Sequence, residues 1–133
     1  MSMIGIARSG LDASLLRLTA SASNIANAQS TGPLPGNLTN GDGARAYRPM
    51  RALSAPVAQG GVTTTMVLAE PGYRLTYDPG SPHSDARGLV AAPAVSIVEE
   101  MVEQLAARRA FEANLKVLDA AVDQEKRIRD LWA

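Results

Sequence analysis

The 133-residue chain has no cysteine, a single histidine, a single phenylalanine, a single tryptophan and three tyrosines. Without cysteine there is no disulfide framework and no thiolate chemistry. With one histidine besides, a zinc site has too few nitrogen and sulfur ligands. The shortage of aromatic rings leaves little core volume per residue. Lys+Arg and Asp+Glu stand at 13 each, so the formal net charge is zero and nothing in the balance draws the chain to nucleic acid or an anionic membrane. No run of about 18 apolar residues occurs, so no membrane-spanning helix and no direct membrane insertion are expected. A Sec-type signal is not expected either. Gly10, Asp12, Ser14 and Arg17 interrupt any apolar region near the start, and no basic stretch precedes it. The chain is therefore expected to stay in the cytosol or to leave by a route that needs no cleaved signal.

What is present is an apolar stripe at each end. Ile4, Leu11, Leu18 and Ile25 fall seven residues apart, with Leu15 and Ala22 between them. Val98, Met101, Leu105, Phe111, Leu115, Leu118 and Val122 recur at threes and fours near the other end. Such spacing puts a seam down one side of a helix, and a seam needs a partner. The first helix is expected over about residues 3–27. Its propensity is poor, because Gly5, Gly10 and six Ser, Thr or Asn residues weaken it, so its stability must come from burial. The second begins at Ser96-Ile97-Val98-Glu99, a capping-box pattern. Glu99, Glu100 and Glu103 near its start and Lys126, Arg127 and Arg129 near its end favour the helix dipole. It is expected to run to about Arg129, with the stripe slipping at Arg108-Arg109.

Between the helices, residues 29–46 read as a loop that is mobile or wraps a neighbour. Gly32-Pro33, Pro35-Gly36, Asn40-Gly41 and Asp42-Gly43 crowd turn signals together. Residues 47–92 read as short strands: Tyr47–Val57, Val62–Glu70, Tyr73–Tyr77 and Gly88–Ala91, pairing within the chain or between chains. The expected fold class is α+β. Long terminal helices, in regions 1–28 and 94–133, pair as an antiparallel coiled-coil-like unit around a small β-rich middle segment, 29–93. Asn24 and Asn27 fit helix-end chemistry as well as contact with neighbours. Arg108 and Arg109 fit either a solvated face, with Glu112 four residues on from Arg108, or pairs with another subunit.

Catalytic readings are weak. Ser81, His83 and Asp85 have the residue types of a triad, but near neighbours in sequence rarely converge on one point, and no Gly-x-Ser-x-Gly elbow is present. Gly41-x-Gly43 lacks the lysine and the strand-to-helix setting of a phosphate loop. No enzyme activity and no cofactor are expected.

Ala22-Ser23-Asn24-Ile25-Ala26-Asn27-Ala28, closing an amphipathic N-terminal helix, resembles the signature of the flagellar rod, hook and axial family. Tyr47-Arg48 after a Gly-rich insert, and the stretch from Tyr77-Asp78-Pro79-Gly80-Ser81-Pro82 to Ala86-Arg87-Gly88, resemble later blocks of that family. So do Pro93 to Val102 and Arg109-Ala110-Phe111-Glu112-Ala113-Asn114. In order and spacing the match is most similar to the proximal rod type. Ala94, Leu89 and Phe111 depart from the residues usual there. The resemblance implies a structural subunit of the bacterial flagellar basal-body rod that transmits motor torque. It implies a place in the rod, spanning the periplasm, and export through the flagellar type III apparatus without a cleaved signal. It also implies partners among other copies and other flagellar rod proteins. The assembly interface is then expected at Ile4, Leu11, Leu15, Leu18, Ala22, Asn24, Ile25 and Asn27 and at Val98, Met101, Leu105, Phe111, Asn114, Leu115, Leu118 and Val122. The rival reading is a cytosolic helical adaptor or export chaperone that binds an amphipathic helix in a groove. It requires helices that are stable in a monomer or small dimer.

Overall fold

The computed structural model describes residues 2–36 and 45–132. The expected turns Asn40-Gly41 and Asp42-Gly43 lie outside the described residues. Helix α1 spans Met3–Ala26, strands β1 to β4 span Met50–Pro56, Val62–Leu68, Tyr73–Tyr77 and Leu89–Pro93, and helix α2 spans Ile97–Leu131. The fold is α+β, with two long helices and two small hairpins.

Both helices start on a serine cap. The Gly5 N–H donates to Ser2 Oγ at 3.2 Å, and the Glu99 N–H donates to Ser96 Oγ at 3.4 Å. Each bond satisfies one of the orphan donors of a first turn. Helix α1 ends where Asn27 turns back, its Nδ2 donating to the Ser23 carbonyl at 2.9 Å. Asn27 thus fills the helix-end role that its residue type suggests. At 35 residues, α2 is about 50 Å long, against about 36 Å for the 24 residues of α1. The last turns of α2 therefore run on alone, and Leu131 and Trp132 at its end are exposed.

The helices lie antiparallel: Gly10 meets Asn114, Arg17 meets Glu103 and Ser21 meets Glu100. The middle segment forms two separate two-stranded sheets rather than one. In the first, β1 and β2 pair antiparallel from Met50↔Leu68 to Pro56↔Val62. Both ends of this hairpin touch α1: Asn24 bonds Met50, and Ser9 Oγ accepts the Val62 N–H at 3.1 Å. In the second, β3 and β4 pair from Tyr73↔Pro93 to Tyr77↔Leu89. Val90, Ala91, Ala92 and Pro93 of β4 are buried, as are Ala28 just past α1 and Val95 just before α2.

The segment after α1 is tied to this second sheet. Gly32 and Ala91 exchange both backbone hydrogen bonds at 2.9 Å, which corrects the expectation of a free loop at its first residues. Residues 78–88 connect β3 to β4 through a tight loop. The Asp85 carboxylate accepts the N–H groups of Arg87 at 2.8 Å and Leu89 at 2.9 Å. These bonds hold the carboxyl below its ordinary range, the Leu89 N–H contributing most. Gly88 closes the loop at φ +73°, and a Cβ there would fall 2.9 Å from the Tyr77 ring. Among the described residues no helix is long and apolar enough to cross a membrane.

Candidate assembly surface

The face of α1 that meets α2 carries small residues. Ala7, Gly10, Ser14, Arg17, Ser21 and Asn24 recur at threes and fours, and Ala7, Ser14, Ser21 and Asn24 are all buried. On α2 the facing positions are Glu100, Glu103, Ala107, Ala110, Asn114 and Ala121, in the same rhythm. Ala107 and Ala121 are the buried residues of that helix. Small side chains let the two backbones approach closely. The buried serines are satisfied, Ser14 Oγ by the Gly10 carbonyl at 2.8 Å and Ser21 Oγ by the Glu100 carbonyl at 2.9 Å. Ala13 and Ala20 are buried as well, Ala13 lining a cleft shared with Val62 and Ala20 one shared with Ala52.

Arg17 and Glu103 form the one ion pair across this seam among the described residues, with Nε and Nη2 donating to the two carboxylate oxygens at 2.6 and 2.9 Å. The bond to Glu103 raises the guanidinium above its ordinary pKa, and partial burial opposes it. The inner seam on α2 passes Arg108 and Arg109 without a break, since both point outward and are exposed. The slip read from the sequence belongs to the outer stripe only.

The large apolar side chains lie elsewhere. Ile4, Leu11, Leu18 and Ile25 each stand one residue on from a seam position or its heptad equivalent. A step of one residue turns about 100° around a helix. They are half-buried, while Leu15 and Ala22 are exposed. On α2, Val98, Met101 and Leu105 are 72%, 62% and 51% exposed, and Leu115 is 42% exposed. Phe111, Leu118 and Val122 are half-buried, as are Asn27 and Asn114. Of the candidates read from sequence, Asn24 alone is buried. Within one chain, then, the helices pair through Gly, Ala, Ser and polar residues, and the apolar stripes flank that contact. A reading guided by hydrophobicity named Asn24 but passed over Ala7, Gly10, Ser14, Arg17 and Ser21, which share its rhythm. Their regular spacing was the available signal.

A cleft of about 400 Å³ opens between α1, β1 and the start of α2, lined by Arg17, Met50, Arg51, Glu99, Glu100 and Glu103 among others. It holds the Arg17–Glu103 pair, and the hydroxyl in its lining, that of Ser21, is spent on the Glu100 backbone carbonyl. The Ser81, His83 and Asp85 set is committed to its loop: Ser81 Oγ accepts the His83 backbone N–H at 3.2 Å, and the Asp85 carboxylate is taken by Arg87 and Leu89. None of these bonds uses the imidazole.

Over nearly its whole length the chain is 38% identical, across 123 residues, to the flagellar basal-body rod protein FlgC of Yersinia enterocolitica. The match covers 90% of this chain and 87% of that protein. The chain belongs to the FlgC family of flagellar basal-body rod proteins. It is also 38% identical over 123 residues to the FlgC of Salmonella typhimurium, covering 90% and 87% of the two chains. With the FlgC of Aquifex aeolicus it shares 31% identity over 131 residues, covering 97% and 94%. Residues 86–131 match the family model described as flagellar basal body rod FlgEFG protein C-terminal. That range starts one residue past Asp85 and takes in β4 and all of α2. FlgC membership makes this chain a structural protein of the flagellum, and the helical adaptor is not the favoured reading.

Proposed function

We propose that this chain, a structural subunit of the flagellar basal-body rod, joins the axial assembly through the apolar stripes that its own fold leaves uncovered. The supporting observation is the division of labour on the helices. Small residues close α1 on α2, while Val98, Met101, Leu105 and Leu15 remain more than 40% exposed. Burying one such side chain fully is worth about 1.5–3 kcal/mol, so an exposed row of them is stabilised by a neighbour that covers it. In a rod the neighbours are other copies and other rod proteins, met by heterologous contacts that do not close into a ring. An array packed in this way transmits torque from motor to hook. The proposal includes export of the chain through the flagellar type III apparatus, unfolded or partly folded and without a cleaved signal. The low propensity of α1 supports this part, since a helix that depends on burial is easily opened.

A cryo-EM map of purified basal bodies tests the proposal. The expected result is density for this chain in the rod, with α1 and α2 paired along the axis and both apolar stripes covered by neighbouring subunits. Rod density in which the stripes face solvent would overturn the assembly surface.

A further inference from the structure

Asn24 is 2% exposed, and every hydrogen-bonding position of its side chain is used. Its Nδ2 donates to the Met50 carbonyl at 2.9 Å and to Glu100 Oε1 at 2.8 Å. Its Oδ1 accepts the Met50 N–H at 2.9 Å and the Tyr47 hydroxyl at 3.0 Å. Exchanging oxygen and nitrogen would set an N–H against the Met50 N–H, so the network fixes the orientation of the amide. One side chain of α1 therefore grips the first residue of β1, the segment leading into it and a carboxylate of α2.

The β1–β2 hairpin packs on α1 only shallowly. Neither strand contains a buried residue. Besides Asn24, its polar attachment to α1 is the Val62 N–H on Ser9 Oγ. The hairpin thus rests on polar pegs at its two ends and on half-buried apolar residues between them, with no fully buried side chain in either strand. A hydrogen bond of this kind contributes little while water competes for it and more once it is enclosed. Part of what encloses Asn24 is α2, through Glu100, whose own backbone carbonyl is held by Ser21.

We propose that Asn24 is a latch that makes placement of the β1–β2 hairpin conditional on closure of the α1–α2 pair. With the helices apart, the amide is open to water and the base of the hairpin is loosely held. With the helices closed, Glu100 takes one amide hydrogen, the site is desolvated, and Met50 is locked. This coupling belongs to the single chain and stands whether or not the apolar stripes form the assembly surface.

The test uses the full-length chain in two ways. Hydrogen exchange follows the Met50 amide, with the amides around Ala107 as the internal reference for the closed pair. Asn24→Ala is expected to lower Met50 protection about tenfold or more while the reference holds. Glu100→Ala is expected to lower it too, although no hydrogen bond joins Glu100 to Met50 among the described residues, whereas Glu100→Gln, which still accepts from Nδ2, keeps it. The second readout is swimming in a strain that relies on the variant chain. Asn24→Asp sets two carboxylates against each other and is expected to abolish swimming. Adding Glu100→Gln, which supplies a donor to the new carboxylate, is expected to restore at least part of it. Met50 protection unchanged by Glu100→Ala, or a double variant no better than Asn24→Asp alone, would overturn the latch.

Discussion

Gly10 of α1 and Asn114 of α2 approach so closely that a Cβ on Gly10 would fall 2.5 Å from Asn114 Oδ1. Asn114 in turn donates from Nδ2 to the Ala110 carbonyl at 2.9 Å within its own helix. Two effects therefore oppose each other at Gly10. Alanine is favoured by about 1 kcal/mol on helix propensity, yet it displaces a side chain that makes a hydrogen bond worth about the same. Gly10→Ala alone is expected to leave stability within about 1 kcal/mol of the parent. In an Asn114→Ala background the clash is gone, and Gly10→Ala is expected to stabilise by about 1 kcal/mol. Urea titration of the four chains checks the cycle; additive effects would contradict the contact.

The Arg17–Glu103 pair spans the same seam, with side chains 30% and 41% exposed. Solvent screening at that exposure limits its value. Arg17→Met, which keeps the aliphatic stem, is expected to destabilise by less than about 1 kcal/mol, and the loss is expected to shrink in about 1 M salt. A loss that does not change with salt in thermal melts would mean that packing of the stem, and not charge, is what Arg17 contributes.

Asp85 makes the β3–β4 loop sensitive to acid. Folding holds its carboxyl below the ordinary value of 3.8. A group depressed in this way stabilises the fold fully above its unfolded pKa, and the contribution is lost as pH falls through the folded value. Asp85→Asn is therefore expected to lower the melting temperature at pH 7, with the gap to the parent closing below about pH 4. Melting curves of the two chains across pH 2.5–7 (about six points, each read against the unfolded carboxylate range) provide the check. A gap that stays constant with pH would assign the loop's stability to something other than the carboxylate.

Placing charge on an outer stripe is expected to stop assembly without stopping synthesis. Leu115 is 42% exposed and Leu18 half-buried, so Leu18→Asp or Leu115→Asp costs less in the free chain than in an interface that must desolvate the carboxylate. Each change is expected to abolish motility while the chain is still made, as read by swimming assays with immunoblots. Normal swimming in both variants would remove the stripes from the assembly surface.

Residues 22–28 are expected to tolerate substitution less well than residues 29–46. The first stretch contains Asn24, Asn27 and the buried Ala28. The exception expected in the second is Gly32, which is bonded to Ala91 in both directions. A motility screen of single substitutions ranks the two stretches, and equal sensitivity would count against this division.

Much of the architecture was legible in local chemistry. Ser96 followed by Glu99 marked the start of α2, Asn27 marked the end of α1, and alternation over residues 62–68 marked β2. All are short-range effects of helix capping and side-chain period. The contact between the helices was less legible. A hydrophobic pattern announces which face wants burial, but it does not say whether the partner is in the same chain. The apolar stripes were read as an assembly surface, and the intrachain contact went unread because Gly10, Ser14 and Ser21 have no hydrophobicity to betray their position.

By itself the sequence determined the number, type and limits of the helices, the strand segments and the family, because each rests on near neighbours or on ordered motifs. The tertiary structure decided which helix face closes inward, how Asn24 gathers β1 and α2, and which apolar residues remain outside. Those outcomes depend on the distance of closest approach between two backbones and on pairing every buried polar group. Both are set by residues that lie about a hundred positions apart in the chain, as Gly10 and Asn114 do.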